Sequence, residues 1–240
     1  MFPVGVYNVE DYPLNWISGT YYSTYKGNTF QVSSIENVKS EAEYAAVTTI
    51  SLSSQSLTTD FTGTFLNKFD NLTNLTCFQN QISVLDVSQL VNLTYLNCYG
   101  NQISVLDVSQ LVNVTYLNCN NNQLTVLDVS QLVNLDNLNC NTNQISVLDV
   151  SQLVNLTTLN CLVNEISTLD VSQLVNLTSL YCFSNRLDAA TNSQILIDLD
   201  NNGLNNGIAY SSIFGGGGLT AAGQTAKSNL LSKGWTIIGI

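Results

Sequence analysis

The sequence predicts an α/β solenoid, in which short coils stack into one elongated domain with a cap at each end. Its cysteines recur every 21 residues, each inside a copy of a segment that reads roughly LTxLxCxxNQISVLDVSQLVN. A unit this short cannot bury its own apolar side chains, so neighbouring units must share a continuous core. The chain has 240 residues and is 45% hydrophobic, which is enough to form a large core.

The segment before the repeats, residues 1–46, is predicted to contain a hairpin and a capping helix. GTYYSTYKGNTFQV, residues 19–32, alternates polar and apolar residues around a Lys26-Gly27-Asn28 turn, which indicates a hairpin. Residues 34–46 favour a short helix. Residues 1–18 carry several aromatic side chains suited to packing against a partner chain or the first coil, and their structure is left open.

The solenoid itself is predicted to span residues 47–187. Residues 47–57, VTTISLSSQSL, fit one degenerate repeat, with Gln55 where later copies have an asparagine. Within each later copy the pattern LxxLxCxxNxI alternates apolar and polar residues as a short strand does, and then turns at the asparagine.

This pattern resembles the leucine-rich repeat. The 21-residue period with a cysteine in the strand is similar, over about residues 72–187, to the cysteine-ladder repeats of the internalin J type and of bacterial surface proteins with LDVS repeats. The resemblance implies a curved parallel β-sheet on the concave face, short helical turns or loops on the convex side, and a role in adhesion and recognition. It also implies that one asparagine per coil points inward and bonds the backbone, at Asn80, Asn101, Asn122, Asn143, Asn164 and Asn185.

The cysteines occupy one position in successive coils and should form a column. Stacked strands lie about 4.8 Å apart, which exceeds the ~3.8 Å Cβ separation that a disulfide prefers. We therefore expect buried free thiols. The chain has no histidine to activate a cysteine, which argues against a cysteine nucleophile and a zinc site. The cysteines are Cys77, Cys98, Cys119, Cys140, Cys161 and Cys182.

An aspartate stands three residues before a glutamine in the second half of five copies. This is the spacing of a capping box at a short helical turn. A column of carboxylates is alternatively suited to calcium, but calcium takes six to eight oxygen ligands and further acids are missing nearby. Capping is the favoured interpretation. The aspartates are Asp86, Asp107, Asp128, Asp149 and Asp170.

Residues 188–240 are predicted to form a C-terminal α/β cap. Residues 191–203 suggest a helix with Ile195, Leu196 and Leu199 inward, followed by a strand in IAYSSIF and a flexible Gly215–Gly218 turn. Residues 219–234 then favour an amphipathic helix, and WTIIGI, residues 235–240, a closing strand.

Differences between the copies concentrate at strand positions that point outward by alternation. This outward strip, predicted to be the concave face, mixes asparagine and threonine with aromatic residues, which suits a neutral partner such as a protein loop or a glycan. Two structural interpretations stay open beside binding: the tyrosines shield neighbouring strands, and the asparagines form a regular hydrogen-bonded column. The candidate ligand-binding residues are Tyr95, Tyr116, Tyr181, Phe78, Tyr99, Phe183, Asn97, Asn118, Asn139 and Asn160.

Composition excludes several classes of partner. The net charge is -11 with only six lysines and arginines, so there is no basic patch for nucleic acid or an anionic membrane. No long apolar run predicts membrane insertion, and the first residues lack the basic and apolar stretches of a signal peptide. No catalytic cluster, phosphate loop or cofactor motif is present, so we expect no enzyme activity and no cofactor.

The end of the chain, GQTAKSNLLSKGWTI, resembles C-terminal segments of bacteriophage tail-associated proteins. The resemblance implies a virion surface or a bacterial exterior, with contacts to other virion proteins through the termini. The leading hypothesis is thus a non-enzymatic recognition module for a host-surface protein or glycan. The alternative is a structural spacer or a capsid or tail decoration protein.

Overall fold

The computed structural model describes residues 15–17, 20–25, 28–32, 48–54, 66, 69–212 and 218–239. Near the N-terminus, β1 (Asn15–Ile17), β2 (Thr20–Tyr25) and β3 (Asn28–Val32) form an antiparallel sheet in that order. The predicted hairpin is present, with Tyr25 paired to Asn28. The strand β1 was not predicted. The helix predicted at 34–46 and Gln55 lie outside the described residues.

The solenoid is built on one parallel sheet of nine strands, in the chain order β4 to β12. Each strand pairs with the next one along the chain, so every coil adds one strand at the edge of the preceding coil. The register aligns equivalent residues, as in Leu96 opposite Leu117. The strands are β4 (Thr49–Ser51), β5 (Asn74–Thr76), β6 (Tyr95–Asn97), β7 (Tyr116–Asn118), β8 (Asn137–Asn139), β9 (Thr158–Asn160), β10 (Ser179–Tyr181), β11 (Ile208–Ser211) and β12 (Thr236–Gly239).

The side of each coil opposite the sheet consists of two consecutive tight turns. The N–H of Leu90 donates to the Val87 carbonyl at 3.0 Å, and that of Leu93 donates to the Leu90 carbonyl at 2.9 Å. These three side chains are buried at a three-residue spacing, which favours i to i+3 hydrogen bonds over an α-helix. The convex side of these coils therefore consists of tight turns and not of a regular helix, in agreement with the turns or loops that the leucine-rich-repeat resemblance implied.

The capping-box interpretation is correct for the aspartate and wrong for the glutamine. Asp107 Oδ1 accepts from the N–H of Ser109 at 2.9 Å. This hydrogen bond and a second one from the Ser109 hydroxyl hold the pKa of Asp107 below its usual value. Gln110 Nε2 instead donates to Ser109 Oγ. Among the described residues, no group of three or more acids or thiols could hold a metal ion.

The predicted inward asparagines bond the backbone of two successive coils. Asn101 Nδ2 donates to the carbonyl oxygens of Cys77 and Cys98, both at 3.0 Å. Its Oδ1 accepts from the N–H of Ile82 at 3.0 Å. The same pattern recurs at Asn122. One amide thus satisfies three backbone groups that the bend in the chain would otherwise leave buried and unpaired.

The cysteines form the predicted column of buried free thiols, and none is in a disulfide. Five are fully buried and Cys182 is 1% exposed. Burial raises the pKa of the Cys77 and Cys182 thiols to about 12. The thiols are therefore neutral and serve as small apolar side chains.

Each coil also places one residue in the left-handed backbone region, two positions after the cysteine. Gly100 has φ of 67°, and Thr142 and Val163 both have φ of 52°. Glycine adopts this conformation at little cost, whereas a β-branched residue pays about 1 to 2 kcal/mol. The coil geometry thus imposes the conformation whatever residue occupies the position.

The C-terminal elements continue the same sheet. Helix α1 (Ala189–Asn201) buries Ile195, Leu196 and Leu199 as predicted, and helix α2 (Ala221–Ser232) precedes β12. Gly207 lies against the Trp235 ring, where a Cβ would come within 2.5 Å of it. Residues 213–217, with most of the glycine run, lie outside the described residues. No helix in the described part of the chain is long and apolar enough to span a membrane.

We expect Cys119→Ser to lower the free energy of unfolding by about 1 to 3 kcal/mol, because it places a hydroxyl in a fully buried apolar site. Chemical denaturation monitored by circular dichroism measures the change. Cys119→Ala is the matched control, since it removes the sulfur without adding a polar group, and it should cost less. Equal stability of the serine variant and the parent would contradict burial of this column.

All six thiols should be unreactive in the folded protein, since burial keeps them neutral and inaccessible. A thiol reagent at pH 8 should label them slowly before denaturation and count all six afterwards. A fast-reacting thiol in the native state would show that part of the column is open.

We expect Val163→Asn to raise the free energy of unfolding by about 1 kcal/mol, because asparagine tolerates the left-handed region better than a β-branched residue. Asn121 occupies the same position in an earlier coil. Val154→Asn is the control, because the two valines are 46% and 45% exposed and Val154 lacks a positive φ. Similar effects in both variants would show that the strain is not relieved.

Candidate ligand-binding face

The outward side of the sheet carries four columns of side chains, which we call the sheet face. They are aligned by the strand register, which places Tyr95 opposite Tyr116 and Asn97 opposite Asn118. The intervening leucines and the cysteines point into the core. The first column is Asn74, Tyr95, Tyr116, Asn137, Thr158 and Ser179; the second is Thr76, Asn97, Asn118, Asn139, Asn160 and Tyr181; the third is Phe78, Tyr99, Asn120, Asn141, Leu162 and Phe183; the fourth is Gln79, Gly100, Asn121, Thr142, Val163 and Ser184.

Two pairs of stacked rings stand on the sheet face towards its N-terminal end. Tyr95 and Tyr116 have ring centroids 4.4 Å apart with planes 4° from parallel. Phe78 and Tyr99 lie 4.9 Å apart at 10°. Partial burial and the neighbouring Tyr95 hydroxyl raise the pKa of Tyr116. The rings therefore pack on each other as the structural interpretation expected, and they flank the second column on both sides.

The asparagines of the second column bond within their own coils. Asn118 Oδ1 accepts from Asn120 Nδ2 at 2.9 Å and from the Asn120 N–H at 3.2 Å. Asn139 does the same with Asn141. No hydrogen bond joins neighbouring members of the column within the described residues. The predicted column is real, but its bonds run along each coil rather than from coil to coil.

The aromatic residues at the C-terminal end form a separate group. Tyr181 lies opposite Tyr210 of β11 in the register, and the Phe183 and Tyr210 rings meet at 5.5 Å and 59°. Two coils, those of β8 and β9, lie between Tyr116 and Tyr181, so the sequence-predicted tyrosines do not form one cluster. Tyr210 was missed because IAYSSIF was assigned to the cap alone. The signal in the sequence was the alternation of the small residues Ala209 and Ser211 with Tyr210, and the structure buries the two small residues.

The sheet face is electrically neutral. None of its four columns contains a charged residue, although the chain has a net charge of -11. Asp136, which directly precedes Asn137 of the first column, is exposed and accepts a hydrogen bond from the Thr157 hydroxyl at 2.6 Å. An ion pair joins Arg186 and Glu165 at 2.9 Å, in the positions that follow the inward asparagines. An uncharged face on an acidic protein favours neutral ligands and offers nothing to hold a polyanion.

No protein-family model matches the chain, and no curated protein matches it in sequence. A leucine-rich-repeat protein of Leptospira interrogans is similar in structure, at 26% identity and a TM-score of 0.65, over 80% of this chain and 49% of that one. The leucine-rich-repeat ectodomain of the receptor kinase GASSHO1/SCHENGEN3 from Arabidopsis thaliana, in complex with CASPARIAN STRIP INTEGRITY FACTOR 2, is similar over 69% of this chain and 21% of that one, at 18% identity and a TM-score of 0.58.

The functional domain of InlJ from Listeria monocytogenes, which includes a cysteine ladder, matches 79% of this chain and 52% of that one, at 29% identity and a TM-score of 0.41. This chain therefore spans about half the length of the Leptospira and Listeria chains. Each coil has one short parallel strand and an inward asparagine that bonds two coils. Together with the similarity to the Leptospira protein, these features show that this chain has the leucine-rich-repeat fold.

Proposed function

We propose that this chain is a non-enzymatic recognition module that binds a host-surface protein or glycan through the sheet face. The observation that carries the proposal is where the copies differ. Core positions and the segment that forms the turns repeat almost letter for letter, and most differences fall in the columns of the sheet face, where the second column alone keeps one residue type, asparagine, in four successive coils. A purely structural surface gives no reason for this concentration of differences on one side.

The fourth column strengthens the argument. Backbone energetics there favour glycine or asparagine, because each described member has a positive φ. The residues present include Gln79, Thr142, Val163 and Ser184, so the side chain is not chosen for the backbone conformation. Strained positions are a reason to look for function nearby. These residues border the third column and would contact a ligand bound on the sheet face.

Display on a virion or a bacterial exterior, and contacts of the termini with other virion proteins, stay predictions. They derive from the resemblance of the repeats to bacterial surface proteins and of residues 223–237 to phage tail-associated proteins. The predicted division into residues 1–46, 47–187 and 188–240 is also retained as part of this proposal, with the central segment as the binding unit.

A structural spacer is the second candidate, and one observation favours it. The turn segment repeats with valines that stay exposed, among them Val105, Val126 and Val147 at 75%, 69% and 69%. A regular apolar surface of this kind suits contacts within an assembly. If this is the function, deleting the chain from a particle should reduce particle stability and leave adsorption to cells unchanged.

The test is binding of the purified chain to intact bacterial and eukaryotic cells, compared with a variant in which Tyr95, Tyr116 and Tyr181 are serine. We expect saturable binding that the variant loses, because large aromatic side chains supply most of the contact area on this face. The control variant carries serine at Val91, Val112 and Val133, which are 46%, 45% and 46% exposed on the turn side. Both variants must keep the parent's circular dichroism spectrum.

Binding lost equally in the two variants would place the ligand elsewhere. The absence of binding by the folded parent would contradict recognition and make the structural spacer the leading function.

A further inference from the structure

We propose that the ligand of the sheet face is a linear, uncharged glycan that lies across the strands with one sugar unit on each of four successive coils. The inference rests on the proposed recognition function and identifies the chemical class of its ligand. It is carried by the second column, in which four asparagines follow one another at the strand spacing: Asn97, Asn118, Asn139 and Asn160.

These four amides present one kind of group outward. Each Oδ1 already accepts a backbone N–H from two residues further along, for example that of Leu162 at Asn160 and that of Asn141 at Asn139. The Nδ2 groups of Asn97, Asn139 and Asn160 donate to no partner among the described residues, and that of Asn118 meets the Tyr116 hydroxyl. The column is therefore a row of donors whose acceptor sides are occupied.

Three of the four donors keep contact with solvent although the side chains are largely covered. Asn97 and Asn118 are only 8% and 7% exposed. The nitrogens of Asn97, Asn139 and Asn160 have no partner among the described residues, and none of them is a sealed, unpaired polar atom there, so these three keep some contact with solvent. An amide nitrogen that is held in place and can be reached by solvent is ready to bond a ligand acceptor at little cost in side-chain entropy.

The spacing of the donors distinguishes between ligand classes. Neighbouring strands lie about 4.8 Å apart, which is close to the length of one pyranose unit in an extended glycan. Each sugar would then offer a hydroxyl or ring oxygen to one amide. An extended peptide shows carbonyl groups on the same side only every second residue, roughly 7 Å apart. The carbonyl groups of such a peptide therefore no longer lie opposite the amide donors after two coils.

The surroundings of the column fit the same ligand. The stacked rings of Tyr95 with Tyr116 and of Phe78 with Tyr99 stand on its two sides and offer apolar edges to the C–H groups of a sugar. The columns carry no charge, so a sialylated or sulfated chain has no cation to pair with. Thr76 precedes the four donors and Tyr181 follows them in the same column. The array therefore accommodates about four sugar units.

The experiment measures binding of the full chain to linear neutral oligosaccharides of two to six units, built from glucose, mannose, galactose or N-acetylglucosamine. We expect at least one series to bind, with affinity rising up to four units and changing little beyond. Asn139→Asp should weaken that binding at least about tenfold, because it replaces a donor by an ionised acceptor. It keeps the Oδ1 that accepts from Asn141, so the coil should fold.

Gln144→Glu is the matched control, because it adds the same charge at an exposed position beside the sheet face where the next coil has Glu165. It should bind like the parent. Failure of every series to bind, or equal binding by Asn139→Asp and the parent, would overturn the glycan inference.

Binding to cells treated with periodate or with protease distinguishes the glycan inference from the proposed recognition function. Binding abolished by periodate oxidation of the cells and retained after protease treatment supports a glycan. If protease abolishes binding and periodate does not, the ligand is a protein: the glycan inference then fails while recognition through the sheet face stands. Lack of binding to untreated cells contradicts both.

Discussion

The stacking of the coils depends on the inward asparagine. Each coil must bend sharply after its strand, and the bend turns backbone N–H and carbonyl groups into the core, where an unpaired group costs about 1 to 3 kcal/mol. Asn101 pairs with Cys77 and Cys98 through its nitrogen and with Ile82 through its oxygen. These contacts belong to two coils at once. The same amide therefore shapes its own coil and sets the position of the coil beside it.

The surface of the molecule follows from that regularity. Because equivalent residues lie opposite each other, a change in one copy of the repeat appears at a defined place on the sheet face, next to its counterparts in the neighbouring coils. Tyr95 and Tyr116 stack because they occupy the same position in adjacent copies. Asn120 and Asn141 turn towards the second column because the asparagine two residues earlier offers an acceptor. These hydrogen bonds occupy the side-chain oxygens of the second column and leave a row of amide donors. The row exists only because successive coils stack in register.

Neutrality of the sheet face and neutrality of the thiols have different causes. The four columns lack charged residues altogether, so they offer no side-chain charge to a partner. The cysteines are ionisable, but burial raises the pKa of Cys77 to about 12, so their column behaves as part of the apolar core. The chain's negative charge is carried elsewhere, largely by aspartates such as Asp107 and Asp128 whose serine partners stabilise the ionised form.

The 21-residue period by itself indicated the solenoid and the column of buried cysteines, because in a repeat each position has one environment that recurs. The resemblance of the repeat to the leucine-rich repeat implied the parallel sheet and the inward asparagines. Tertiary structure alone decided the rest. Buried Val87, Leu90 and Leu93 lie in two tight turns, and the glutamine of the supposed capping box bonds a serine in the first of them. Tyr210 joins the sheet face because β11 pairs with β10, and the left-handed φ of Val163 is imposed by the coil against its own preference. Such features depend on contacts between segments distant in the chain, which local patterns do not encode.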